Sequence, residues 1–291
     1  MQDALLKSLA VVAASVLVAA AVAWAGSQGS VEAAGVPVPV LCAAIAFVLN
    51  WVAFVPAYAA RTERYYDLVG SLTYTSLLAV AVLLAGPDAR GWLLAGMAAV
   101  WALRLGSFLF LRIHRAGSDR RFDEVKQDFG QFLIAWTLQA LWVFLTLCCA
   151  LAAITAVEGR PLGAWAAVGA VIWGIGFGIE VVADRQKSAF RRDPANAGRF
   201  ISSGLWAWSR HPNYFGEIVL WVGVALIALP VLSGWQHVTL VSPVFVYLLL
   251  TRISGIPPLE KRAEEKWGDD PDYRTYVERT PVLWLRPQRP I

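Results

Sequence analysis

FLIAWTLQALWVFLTLCCALAAITAV, residues 132–157, runs for 26 residues without a charge, a glycine or a proline. As a helix rising 1.5 Å per residue it would reach about 39 Å, enough to cross the roughly 30 Å of hydrocarbon in a bilayer. An all-round apolar surface of that length suits lipid better than water. Working outward, seven more stretches of this kind occupy 5–26, 38–60, 67–86, 92–113, 162–183, 213–232 and 238–253. The first is rich in Ala and Val and carries Lys7, as a signal peptide does. It is too long for such a segment and further spans follow, so it is expected to be a true helix.

Composition agrees. The chain is 58% apolar and 16% charged, far from the balance of soluble domains. The fold class expected is an all-α integral membrane protein, a bundle of seven to eight transmembrane helices. Of the 25 Lys and Arg, only Arg90 and Arg160 fall on the outer side when the N-terminus is placed in the cytoplasm. The positive-inside rule then puts both termini and the active face in the cytoplasm, with a bacterial inner membrane as the setting. A net charge of +4 is what anionic headgroups ask for, so the bilayer is the expected partner and no nucleic acid is needed. Cys42, Cys148 and Cys149 lie within spans with no metal-type spacing to a histidine. They read as packing residues, with no metal and no disulfide.

The chain is expected to form one transmembrane domain over 1–291, with no separating linker. Its polar mass is concentrated in segments 114–131, 184–212 and 257–291, whereas the outer loops, such as 87–91 and 158–161, are short. Gly174, Gly176 and Gly178 resemble a piece of a dinucleotide fingerprint, but no strand precedes them and they sit in an apolar helix. Close helix packing is the expectation there.

Ionisable groups at span ends are costly and therefore candidates for function. Asp67 opens the third span, with Tyr74 on the same face seven residues later. Arg104 lies nearly three turns inside the fourth span and calls for an anion. Glu180 and Asp184 form an i, i+4 pair at the inner end of the sixth. Arg112, Arg115, Arg185 and Lys187 read as interfacial anchors. The densest stretch is Ser209-Arg210-His211-Pro212-Asn213-Tyr214-Phe215-Gly216-Glu217. Pro212 suits a first helical turn, whose free amides can hold an anion. Arg210 and His211 add donors, Asn213 offers both donor and acceptor, Tyr214 an aromatic face, and Glu217 follows four residues after Asn213. The tail adds Glu260, Arg262, Glu264, Glu265, Tyr273, Arg274, Tyr276 and Arg279, either a solvated amphipathic tail or a neighbour for adenine and phosphate.

Residues 204–217, GLWAWSRHPNYFGE, together with Asp184, Gly255-Ile256-Pro257-Pro258-Leu259-Glu260 and Tyr273-Arg274-Thr275-Tyr276, resemble the steroid 5-alpha-reductase-like family, more narrowly its uncharacterised bacterial branch. The resemblance covers roughly the last two thirds of the chain and is specific in 204–217. It implies a helical membrane reductase whose cytoplasmic loops and C-terminal tail close over an NADPH cavity. Hydride would pass to the C=C bond of a conjugated ketone in a lipophilic, steroid- or lipid-like molecule. It also implies substrate-side helices in 1–130 and a cofactor-binding region in 131–291. The family's cofactor contacts carry over to Glu180, Asp184, Arg191, Asn213, Arg104, Arg121 and Tyr276. Steroid-reducing members polarise the ketone with an acid and a tyrosine, which by spacing fall on Asp67 and Trp101. Trp101 cannot serve as the phenol, so either Tyr74 or Tyr66 supplies it or the substrate is not a steroid enone.

Two other readings stand beside this one. Isoprenylcysteine and phospholipid methyltransferases carry a similar Arg-His-Pro-x-Tyr-x-Gly segment and a later Glu-Glu, matched by 210–216 and Glu264-Glu265. They use S-adenosylmethionine, whereas the basic run after Glu180 suits a pyrophosphate and a 2′-phosphate. A transporter would be expected to show inverted repeats, and none is seen.

Overall fold

The computed structural model describes residues 2–116 and 122–287, and the side chains of residues 3–111 and 122–287. Eight helices among the described residues are long and apolar enough to cross a membrane: Asp3–Gly26, Val38–Ala59, Tyr66–Ala85, Ala89–Leu111, Phe129–Ile154, Ala164–Arg192, Pro212–Val231 and Gly234–Trp267. This is the all-helical architecture expected of an integral membrane protein. The chain divides into two compact units, one running to Ala166 and including Ile227–Ser242, the other comprising Ala167–Leu226 and the chain from Pro243.

The first unit contains α1 (Gln2–Gly26), a two-stranded hairpin of β1 (Glu32–Ala33) and β2 (Val36–Pro37), α2 (Val38–Ala59), α3 (Tyr66–Ala85), α4 (Ala89–Ala116) and α5 (Phe129–Ile154). Ala34 and Gly35 turn the hairpin with positive φ of 52° and 77°, the conformation a two-residue antiparallel turn requires. Helix α3 stops at Gly86, a left-handed cap. Helix α5 begins where Asp128 accepts from the amide of Gln131 at 2.8 Å.

Helix α5 packs against α1, α2, α3 and α4, and 89% of its apolar window is buried. This explains its all-round apolar surface: helices rather than lipid surround it. Its few polar groups are used at these contacts. Thr137 accepts from Trp51 Nε1 at 3.0 Å, and the Gln139 amide donates to the Tyr66 carbonyl at 3.0 Å. Between α2 and α3, Asn50 Nδ2 donates to Thr73 Oγ1 at 3.2 Å.

The segment 87–91, expected as a plain outer loop, instead includes the first turn of α4. There Arg90 is 2% exposed and donates to the carbonyls of Ile227 at 2.7 Å and Pro161 at 2.8 Å. The guanidinium thus ties three chain segments of this unit together.

The second unit contains most of α6 (Ala164–Arg192) and α7 (Pro212–Ala228), with α9 (Ile256–Trp267) and α10 (Pro271–Arg279). Helix α6 runs nine residues beyond the apolar stretch that ends at 183, ending in Arg191 and Arg192, where cations favour a helix C-terminus. Helices α6 and α7 meet backbone to backbone. A Cβ on Gly176 would lie 2.6 Å from the Gly216 carbonyl oxygen, and one on Gly216 would lie 2.7 Å from the Glu180 nitrogen. Of the three glycines read as a packing stripe, only Gly176 makes such a contact, because Gly174 and Gly178 would meet nothing within 4 Å.

The last span is interrupted. α8 (Val241–Leu248) passes into a π-helical turn, Leu249–Ile253, and α9 restarts at Ile256 on Pro257 and Pro258. A side chain at Gly255 would collide with the Leu250 carbonyl, so the break depends on glycine. The tail is packed rather than solvated. Tyr273 and Tyr276 are buried, and the indole of Trp267 donates to the Gly198 carbonyl at 2.5 Å.

Candidate functional site

In the second unit, the polar residues of α6 and α7 gather where the two helices touch. Glu180 is 2% and Asp184 6% exposed, and Asn213 Nδ2 donates to Asp184 Oδ1 at 3.3 Å. Glu217 follows half-buried, one turn after Asn213. The small residues Gly176 and Gly216 allow this by bringing the helices close enough for short side chains to reach across.

The segment before α7 is held by its backbone. Trp206 Nε1 donates to the Ala183 carbonyl at 3.0 Å, the Leu205 amide donates to Gln186 Oε1 at 2.9 Å, and Gly204 turns with φ +61°. The Arg210 amide donates to the Pro281 carbonyl at 2.9 Å, and Ser209 Oγ donates to the Leu283 carbonyl at 2.9 Å while accepting from the His211 amide at 3.1 Å. Lys187 stands 4.1 Å over the Trp206 ring, so this residue, read as a lipid anchor, also makes a cation–π contact within the fold.

Here the structure joins Arg210, His211 and the tail residue Glu260. Arg210 Nη1 pairs with Glu260 Oε2, and His211 Nε2 lies 2.6 Å from Glu260 Oε1. Burial lowers the His211 pKa from 6.5, outweighing the opposing pull of Glu260 and reinforced by Lys187 and Arg210. The ring is therefore neutral at pH 7, and the contact is a hydrogen bond from Nε2–H to the carboxylate rather than an ion pair. Its Nδ1 is left as a buried acceptor with no hydrogen-bond partner among the described residues. The ring lies parallel to Tyr214, with centroids 5.7 Å apart.

Other expected cofactor contacts fall elsewhere. The Tyr276 hydroxyl donates to the Trp206 carbonyl at 2.8 Å, and burial raises its pKa. It serves as a latch between the tail and the 204–207 turn. Arg191 is exposed on the last turn of α6. Arg104 belongs to the first unit, with its guanidinium 5.4 Å from the Phe108 ring. Arg121 lies outside the described residues, as do the side chains of Arg112 and Arg115.

In the first unit, α3, α4 and α5 line a half-open cleft of about 110 Å³ bordered by Asp67, Gly70, Ser71, Tyr74, Trp101, Gln139 and Trp142 among others. Asp67 and Tyr74 are thus brought together on one wall, as their spacing requires. Tyr74 meets Trp101 edge to face at 5.2 Å. Tyr66 is not on that wall: it packs against Phe122 and Trp136, and its hydroxyl donates to the Ala135 carbonyl at 2.9 Å. A larger cavity, about 750 Å³, lies between the end of α1 and residues 235–238, but among the described residues Glu32 is the only titratable side chain that lines it. The smaller cavity is the one equipped for chemistry.

Sequence reading missed two participants. Gln139 is a polar amide in the middle of the most apolar span, and its position alone marked it. Glu260 was placed in the charged tail and in the 255–260 stretch of the resemblance but not paired with His211, because that pairing depends on the chain folding back across 49 residues.

Comparison with known proteins places these features in context. Residues 53–280 match the family described as "Protein of unknown function (DUF1295)". An uncharacterized protein of Schizosaccharomyces pombe is 26% identical over 220 residues, 65% of this chain and 62% of that protein. A probable O-methyltransferase of Ustilaginoidea virens is 32% identical over 84 residues, 28% of this chain and 30% of that protein. The chain therefore covers less than two thirds of either relative's length. No solved structure matches it.

Proposed function

The chain belongs to the DUF1295 family, and from that membership we propose that it is a membrane-embedded, NADPH-dependent reductase of the steroid 5-alpha-reductase-like kind. It reduces the C=C bond of a conjugated ketone in a lipophilic substrate. Both termini and the polar ends of the helices face the cytoplasm, as the positive-inside rule asks. The observation that carries the reading is the Asp184–Asn213 contact beside buried Glu180, at the close approach of α6 and α7.

The donor set fits the cofactor. Carboxylates and an amide suit ribose hydroxyls and a carboxamide. The buried acceptor on His211 asks for a donor such as an amide N–H. Lys187 and Arg191, on the polar extension of α6, suit phosphates. Glu180, Asp184, His211, Asn213 and Glu217 would hold the dinucleotide. When bound, it supplies the hydride.

The remaining chemistry is that of the cavity side chains. As hydride adds to the β-carbon of an enone, negative charge develops on the ketone oxygen. The Asp67 carboxyl and the Tyr74 hydroxyl, which both line the cavity, would be the groups beside that oxygen.

A second reading, methyl transfer from S-adenosylmethionine, is favoured by the 84-residue similarity to the probable O-methyltransferase. Its expected acidic pair, Glu264 and Glu265, is exposed on α9, and the Arg-His-Pro segment engages Glu260 instead. The deciding experiment is thermal stabilisation of detergent-purified protein by NADPH, NADH and S-adenosylmethionine. A ligand at about 100 times its Kd adds about 2.7 kcal/mol to the native state. The reductase reading expects stabilisation by NADPH that is lost in Asn213→Ala and Asp184→Ala. Stabilisation by S-adenosylmethionine alone would overturn it.

A further inference from the structure

Three tryptophans stand out of the surface at one end of the first unit, where α1, α3 and α5 finish and α4 begins. The Val157 amide, past the end of α5, donates to the Gly29 carbonyl, past the end of α1, at 2.9 Å. A Cβ on Gly91, in the first turn of α4, would lie 3.4 Å from the Ile154 Cα, so these helix ends share one level. Trp24 on α1, Trp92 on α4 and Trp235 are 75%, 59% and 72% exposed. Indoles this exposed at helix ends suit the boundary between hydrocarbon and water, with the ring among lipid and the N–H wet.

Trp24 and Trp235 also border the half-open groove of about 750 Å³, a volume in the range of small-molecule sites. Its apolar wall includes Val22, Pro37 and Val238, and its two sides are tied together. The Trp235 amide donates to Gln28 Oε1 at 2.6 Å, and Gln236 Nε2 donates to the Gly26 carbonyl at 3.3 Å. Glu32 is exposed and supplies the charge. It stands directly opposite Pro37 in the hairpin, and opposed residues share one face of a ladder. Both line the groove, so the carboxylate belongs to the face that borders it. Gln28, also exposed and lining the groove, has its oxygen committed to Trp235 and keeps its NH2 branch as a donor. Among the described residues no lysine, arginine or histidine lines the groove.

We propose that this groove binds the head group of a phospholipid that carries a primary ammonium, with the first carbons of its chains along the apolar wall. The ammonium pairs with the Glu32 carboxylate and lies against the indole of Trp24 or Trp235, and the Gln28 amide donates to the phosphate. A lipid with an uncharged polyol on its phosphate brings no cation for Glu32, and no basic residue of the groove offsets the repulsion between phosphate and carboxylate. Helix α3, 20 residues long, sets this end about 30 Å from Asp67 at its start. The lipid is therefore a resident of the fold and not the molecule handled at the Asp67 cleft, and the inference stands apart from the reductase reading.

The test uses the full chain purified in dodecyl maltoside, stripped of co-purified lipid and with no cofactor added. It is titrated with dioleoyl phosphatidylethanolamine and dioleoyl phosphatidylglycerol, which differ only in the head group, and the melting temperature is followed, since a ligand of the native state raises it. Phosphatidylethanolamine is expected to reach half its effect at a concentration at least fivefold lower than phosphatidylglycerol. Glu32→Gln should bring the two lipids within twofold. Glu158→Gln, which removes an exposed acid at the same end that does not line the groove, should leave the preference as it is in wild type. Equal affinity for the two lipids in wild type, or a preference that survives Glu32→Gln, would overturn the proposal. The wild-type comparison needs no variant, so it decides the matter even where one fails to fold.

Discussion

Nε2 of His211 and Oε1 of Glu260 lie 2.6 Å apart, and the other oxygen of that carboxylate is held by Arg210. A residue at the start of α7 is thereby tied to one on α9, and the imidazole is presented as a neutral acceptor.

Stability should therefore depend on pH in a known direction. Because burial lowers the His211 pKa from 6.5 in the fold, the unfolded chain binds more protons just below that pH. The His211 contribution is full above about pH 6.5 and is lost as pH falls toward the folded-state pKa. Lys187 and Arg210 reinforce the effect, and Glu260 opposes it. Melting temperature measured from pH 8 to pH 5 should fall less steeply in His211→Asn than in wild type.

Removing the partner should be costlier than its exposure suggests. Glu260→Gln deletes the charge that holds both Arg210 and His211, and bonds to charged groups are each worth about 1.5–3 kcal/mol. A loss of about 2 kcal/mol is expected, after allowing for the 28% exposure of the carboxylate. A urea or thermal melt in detergent showing no change would mean that the pair is not formed in solution.

The close approach of α6 and α7 separates glycines that look alike in sequence. Gly176→Ala and Gly216→Ala force a methyl group against backbone atoms of the facing helix, which costs about 1–3 kcal/mol as overpacking. Gly174→Ala and Gly178→Ala should be neutral or slightly stabilising, since nothing lies within 4 Å and alanine is the better helix former. Four melting curves decide the matter.

The two candidate phenols can be separated in the same way. Tyr66→Phe removes a bond to the Ala135 carbonyl and should lower stability by about 1 kcal/mol while leaving enone turnover near wild type. Tyr74→Phe, on the cavity wall, should slow turnover by about tenfold to a hundredfold, within the range for a group aiding proton transfer. The reverse pattern would transfer the role to Tyr66.

Arg90 offers a test away from any site. Its guanidinium is buried and satisfies the carbonyls of Ile227 and Pro161. Arg90→Met leaves both without that donor and should cost about 2–4 kcal/mol. Equal stability of variant and wild type in a thermal melt would show that water can replace the guanidinium.

Local composition and period by themselves determined the seven to eight apolar spans expected and the gathering of polar residues at 184–217, because crossing hydrocarbon demands long uncharged helices and the cost of burying charge leaves polar groups at their ends. Asp67 and Tyr74 were legible as one face because seven residues make nearly two turns. Tertiary structure alone decided which chemically similar neighbours do which task. It decided that Tyr66 turns its hydroxyl to Ala135, that Gly176 rather than Gly174 or Gly178 meets α7, and that Glu260 returns to His211. It also decided that Ile227–Ser242 belongs with the first unit, around the central helix α5. The physical reason is that such pairings join residues far apart in the chain. Local periodicity sets which way a side chain faces along its own helix, and only packing decides what it meets.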